Sequence, residues 1–165
     1  MKRISTSLLI GFLILLPLFC SYAQTKRELK AQMATLEKQY VELAKHDKFQ
    51  ATKLAWRIAK LAQNKQNLNY QKAIRYYKYA INLSKQLNNQ SLLANSHKEM
   101  GLYYKKFKKY GEAFTELKTA SKYYKNRRNW EGYSSTLYLI GEVHEASNRK
   151  SSAIDTYKLA LKYAQ

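Results

Sequence analysis

The chain has 165 residues with one cysteine, one proline and five glycines, enough for a single domain with a buried core and too few loop-formers for a loop-rich fold. Lys and Arg number 30 against 11 Asp and Glu, a formal charge of +19, which brings anionic partners into consideration. A lone cysteine excludes an intrachain disulfide framework.

Residues 1–23 read as a secretory leader. Lys2 and Arg3 give a basic start, Leu8 to Phe19 is an apolar run broken by Pro17, and Ser21 and Ala23 put small residues at the −3 and −1 positions of a cleavage site. The run is short for a spanning helix, which needs about 20 apolar residues. Cys20 raises a lipid-attachment reading, but Leu18 and Phe19 precede it where lipoprotein signals carry a small residue. Cleavage after Ala23 leaves 142 residues, a charge of +17 and no cysteine. Stability then rests on packing, and no thiol chemistry is available.

Beyond the leader, apolar residues fall at three- and four-residue steps without a sustained alternation of two, which predicts helices. The pattern places them at 26–46, 50–64, 68–87, 91–106, 109–125, 130–147 and 150–164. Short polar joints such as "LNNQS", "KNRRN" and "SNRKS" separate them. Asp47, Asn89 or Ser91, Asn129 and Ser151 are the N-cap candidates, since their side chains can accept from the unpaired amides of a first turn. The layout is a leader at 1–23, an N-terminal helix within 24–49 and a repeat domain at 50–165.

A shift of 40 residues brings the chain onto itself. Ala73, Ala113 and Ala153 align, as do Ala80, Ala120 and Ala160. Tyr77, Leu117 and Tyr157 align as large residues, and Gly101 aligns with Gly141. The repeating unit is therefore a helix pair, present three times after the first helix. Residues seven apart lie on nearly one helical stripe, so the paired alanines let a neighbouring backbone come close.

These residues resemble the tetratricopeptide repeats, whose pattern sets a small residue in the first helix and alanines twelve and nineteen positions later. Gly101, Ala113 and Ala120 fit, as do Gly141, Ala153 and Ala160. Tyr104 supplies the expected aromatic, and His144 stands in its place in the last repeat. The resemblance covers roughly 50–164. It departs in its period of 40 against about 34, in lacking the terminal proline, and in its first pair, where Leu61 fills the small slot.

The resemblance implies an all-α, right-handed superhelix with a partner-binding concave face lined by the first helix of each pair. Carried over by position, that face takes Ala55, Ile58, Ala62 and Lys65 from the first pair. The second gives Asn95, Lys98, Leu102 and Lys105, and the third Ser135, Tyr138, Glu142 and Glu145. Ile58 and Ala62 stand where relatives that grip a C-terminal carboxylate carry Lys and Asn, so that clamp is not expected. The candidate partner-binding residues are Asn95, Lys98, Lys105, Ser135, Tyr138 and Glu142.

Other chemistry is weakly represented. His46, His97 and His144 lack the converging spacing of a metal site. Glu142 and Glu145 lie a turn apart, but no nucleophile or histidine accompanies them as a catalytic pair requires. Phosphate-loop, nucleophile-elbow and zinc-protease motifs are lacking. The expectation is no enzyme, no cofactor and no metal.

"YYKKFKKY" at 103–110 and "KYYKNRR" at 122–128 interleave rings with cations, a nucleic-acid-like composition. An exported chain meets little nucleic acid, so acidic envelope polymers, anionic lipid heads or acidic proteins are the more available partners. At the far end, Ile154, Leu161 and Tyr163 lack a following pair to cover them, which leaves three readings open: a partner or a second copy packs on the C-terminal helix, the exposure is tolerated, or the chain is a piece of a longer signalling protein. The functional expectation is an exported scaffold for protein or peptide contact. The alternatives are an extracytoplasmic sensing module of a signalling system and a basic surface for anionic polymers.

Overall fold

The computed structural model describes residues 6–63 and 69–164, with side chains from residue 25 onward. Among the described residues seven helices follow one another: α1 Thr6–His46, α2 Lys48–Ala62, α3 Tyr70–Gln86, α4 Gln90–Lys106, α5 Tyr110–Asn126, α6 Trp130–Ala146 and α7 Lys150–Tyr163. Each packs on its neighbours in chain order, and no strand occurs among the described residues. The architecture is an all-α helical-repeat superhelix. The helices from α2 onward match the expected spans to within two residues, whereas α1 begins well ahead of the expected 26. The leader reading depends on the side chains of 1–23, which lie outside those described. Among the described residues no helix is long and apolar enough to cross a membrane.

The repeat length has a local cause. From α3 to α6 each helix spans 17 residues, and a three-residue joint follows. Helix and joint make a 20-residue step, and two steps make the 40-residue repeat. Each joint contains a residue at positive φ: Asn88, Lys108, Arg128 and Asn148, at 50–60°. The next amide reaches back to a carbonyl of the last turn, as in Asn89 to Ser84 at 3.1 Å and Arg149 to His144 at 2.8 Å. This closes the helix end and satisfies a carbonyl that would otherwise be orphaned.

The next helix starts from this device. Asp47, Asn69, Asn89 and Asn129 accept from the amides of Gln50, Lys72, Leu92 and Gly132. Ser151 is not a cap: the joint ends at Arg149, whose side chain makes no cap bond, and Ser151 falls inside α7. Asn69 is a cap that the periodicity did not single out.

The small residues sit where helices cross. A Cβ on Gly101 would stand 2.6 Å from Leu117 Cγ and 3.3 Å from the Ala113 carbonyl. One on Gly141 would meet the Tyr157 ring, and one on Gly132 the Tyr124 ring. Ala73, Ala80, Ala113 and Ala120 have no exposed surface. Two buried clusters result, one joining α1–α4 through residues such as Met33, Ile58, Tyr77 and Tyr103, the other joining α4–α7 through residues such as Leu117, Tyr124, Leu137 and Val143. α1 closes the start of the array. Met33 and Leu36 enter the first cluster, Glu37 meets Lys72 at 2.8 Å, and the Tyr40 ring lies 5.4 Å from that of Tyr76. At the other end Ile154 and Leu161 are exposed, but Tyr163 is half-buried, its ring 5.2 Å from Trp130 and 5.0 Å from Tyr133.

Candidate interaction face

The first helices of the three pairs, α2, α4 and α6, lie side by side. Hydrogen bonds and ion pairs span them. The Trp56 indole donates to Ser96 Oγ at 3.2 Å, Lys60 meets Glu99 at 2.8 Å, and Lys105 meets Glu142 at 2.7 Å.

The structure corrects the frame of the first pair. Ala55, Ile58 and Ala62 are fully buried in the α1–α4 cluster, so they line no open face. Lys65 lies outside the described residues. The N-caps explain the error: Asp47 to Asn89 is 42 residues, whereas Asn89 to Asn129 is 40. α2 is two residues shorter than α4, and the connection to α3 is four residues longer than the one that follows α4. A shift of 42 puts Ala59, fully buried, in the slot of Gly101 and Gly141. Leu61 leaves the small slot and the first pair ceases to be degenerate. The face positions become Lys53, Trp56, Lys60 and Gln63, all of them exposed or half-buried. The two clamp slots then hold Trp56 and Lys60, still not Lys and Asn.

Several of the residues expected on α4 and α6 are already engaged. Asn95 Oδ1 accepts from the Tyr124 hydroxyl. That hydroxyl is pushed up to about 12 by burial, with Glu99 adding to the effect. The Lys98 ammonium lies 5.6 Å above the Tyr124 ring. Lys105 and Glu142 neutralise each other, and Ser135 Oγ donates to the Gly132 carbonyl at 3.1 Å within its own helix. Tyr138 is different: it is 55% exposed, with its ring 5.4 Å from that of Tyr157. At the opposite end, Trp56 with Lys53, Lys60 and Gln32 borders a hollow of about 480 Å³. The face therefore has an internally paired middle and aromatic residues at both ends. Trp56 and Lys53 were missed by the period alone, and the uneven cap spacing is the signal that finds them.

The histidines are dispersed. His97 Nδ1 lies 2.7 Å from Glu116 and its ring stacks on Tyr123. His144 is buried, with its ring 5.1 Å from Phe114 and its Nδ1 without a hydrogen-bond partner. Burial, and secondarily Arg149, holds it below the usual histidine range. Among the described residues no three His, Cys, Asp or Glu side chains converge as a metal site would.

Among solved structures the chain is similar to BtubC (BKLC) from P. vanneervenii, with a TM-score of 0.69 and 15% identity. The match covers 83% of this chain and 57% of that one. At this identity the likeness concerns the fold. No family model matches the chain. The comparison with curated proteins finds no match.

Proposed function

We propose that this chain is an exported, non-enzymatic scaffold of the tetratricopeptide-repeat type that binds a protein or peptide segment along the α2–α4–α6 face. The family reading is supported by the buried small residues Ala59, Gly101 and Gly141 at equivalent slots, the last two seating Leu117 and Tyr157 of the following helix. One observation carries the binding reading. Tyr138, 55% exposed, stands at one end of this face, and half-buried Trp56 borders the hollow at the other. Large amphipathic rings suit such anchoring, because they bury much area at little entropic cost.

Photo-crosslinkers placed at 53 and at 138 should capture the same partner from the native envelope fraction, and Tyr138→Ala should suppress capture from 53. Capture no greater than from position 115, on the exposed side of α5, would refute the assignment. The charge of +19 supports anionic polymer binding as a second reading. Retention on a polyanion that falls steeply with salt is its mark.

A further inference from the structure

The open side of the last pair repeats a slot that is filled twice inside the molecule. A groove of about 600 Å³ runs between α6 and α7, bordered by Tyr138, Glu145, Tyr157, Ala160, Leu161 and Ala164. Moved back 40 residues, these positions are Lys98, Lys105, Leu117, Ala120, Ser121 and Tyr124. There α6 lies in the slot. Leu117, Ala120 and Tyr124 join Tyr133, Leu137 and Ile140 of α6 in one buried cluster. One repeat earlier the slot holds α4: Tyr77, Ala80 and Ser84 are buried, and Ser84 Oγ lies 3.2 Å from Ser96 Oγ. In the third copy Leu161 is 68% exposed and Ile154 54%.

The filled slots also specify charge. In each, a lysine of the first helix meets a glutamate of the incoming one, Lys60 with Glu99 and Lys105 with Glu142. At the third slot Glu145 takes the place of Lys105 and is the only charged residue bordering the groove among the described residues. Size is inverted as well. Tyr124 fills the space left by Gly132 of the incoming helix, whereas its counterpart at the open slot is Ala164.

We propose that the α6–α7 groove docks an amphipathic α-helix of another polypeptide. That helix carries a bulky apolar residue in its first turn, over Ala164, and a Lys or Arg in its last third, facing Glu145. The groove shares Tyr138 with the α2–α4–α6 face, and the proposal extends that partner surface to the end of the array.

The probe is a fluorescein-labelled peptide copying residues 129–147 with Gly132→Leu and Glu142→Lys, titrated with the purified chain and read by anisotropy. It should bind, and Leu161→Glu should weaken it by about tenfold or more through loss of an apolar anchor. Glu145→Lys should weaken it about threefold and strengthen a companion peptide that keeps Glu142, because the facing charge is reversed. Both variants change exposed side chains, and far-ultraviolet dichroism verifies that they fold. Absence of binding at several hundred micromolar, or binding indifferent to both substitutions, overturns the proposal. So does a dimer of the chain that Leu161→Glu dissociates, which would put a second copy in the groove. A partner whose crosslinks run only along α2, α4 and α6 leaves the face reading standing whatever the peptide does.

Discussion

Gly101→Ala tests the crossing of α4 and α5 most directly. Two effects oppose each other. Alanine is the better helix former by about 1 kcal/mol, so in open surroundings the change stabilises. Here the new Cβ would sit 2.6 Å from Leu117 Cγ and 2.9 Å from its Cδ2, with the Ala113 carbonyl at 3.3 Å. Leu117 must retreat by about an ångström, yet it has no exposed surface and is lodged among buried neighbours. Overpacking of this kind costs about 1–3 kcal/mol, and a blocked retreat puts it in the upper part of that range. The net expectation is a loss of about 1–2 kcal/mol, or roughly 3 °C in Tm for each kcal/mol in a chain of this size. Two controls fix the cause. At Gly111 an added Cβ meets nothing within 4 Å, so Gly111→Ala should be neutral or stabilising. Leu117→Ala alone should cost about 2–5 kcal/mol through its cavity, and in that background Gly101→Ala should become stabilising. Chemical denaturation of these variants beside the parent measures all three signs. A Gly101→Ala variant at least as stable as the parent, or one still destabilising when combined with Leu117→Ala, would refute the close-crossing argument.

Buried His144, held below its usual range by burial and by Arg149, takes up its proton more readily in the unfolded chain. Its contribution is full above about pH 6.5 and declines as the pH falls toward its folded value. His144→Phe should remove that part of the acid sensitivity, seen as a smaller change in denaturation midpoint between about pH 7.5 and about pH 5. Asn129 accepts from the Gly132 amide at 2.8 Å, so Asn129→Ala should cost about 1 kcal/mol by thermal melting, whereas Ser151→Ala should be near neutral. Lys108 and Arg128 sit at positive φ, a conformation that costs an ordinary residue about 1 kcal/mol. Lys108→Gly and Arg128→Gly should each raise Tm, and Asn88→Gly should change it less because asparagine tolerates that region.

Helix positions from α2 onward and the identity of the second helices were legible because two physical codes agree there. Apolar steps mark each span and alanines at seven-residue spacing mark α3, α5 and α7, whereas the expected side-chain caps hold at α2, α4 and α6 and fail at α7, which starts from Arg149. The face of the first pair was not legible from the period, since a translation of 40 assumes that every joint is alike. The connection from α2 to α3 is longer and α2 shorter, so every side chain read by that shift was assigned two positions away from its place. A two-residue slip on a helix turns the stripe by about 200°, which is why three buried residues were read as open ones. The engagement of Lys98, Asn95 and Lys105 was illegible for another reason. It depends on Tyr124 and Glu142, 26 and 37 residues away from Lys98 and Lys105 respectively, and one-dimensional spacing carries no information on such contacts.

The interleaved rings and cations, which composition alone presents as a polyanion surface, have a more local origin. The stretch 103–110 ends α4 and the stretch 122–128 ends α5. Contacts such as His97 with Glu116 and Asn95 with Tyr124 show these helices running antiparallel. The two basic stretches therefore lie at opposite ends of a helix about 25 Å long, and they do not merge into one strip. Lys105, Lys106 and Lys125 occupy last turns, where a cation is favoured by the exposed carbonyls of the helix end. Lys109 stands 5.4 Å over the Tyr70 ring and Lys125 5.9 Å over that of Tyr133. Much of the lysine in this chain thus serves helix ends and ring faces of its own hairpins. Recognition is better sought where side chains are left over from packing. The Tyr138 end of the α2–α4–α6 face, where it meets the groove bordered by Leu161, is such a place, both side chains being more than half exposed.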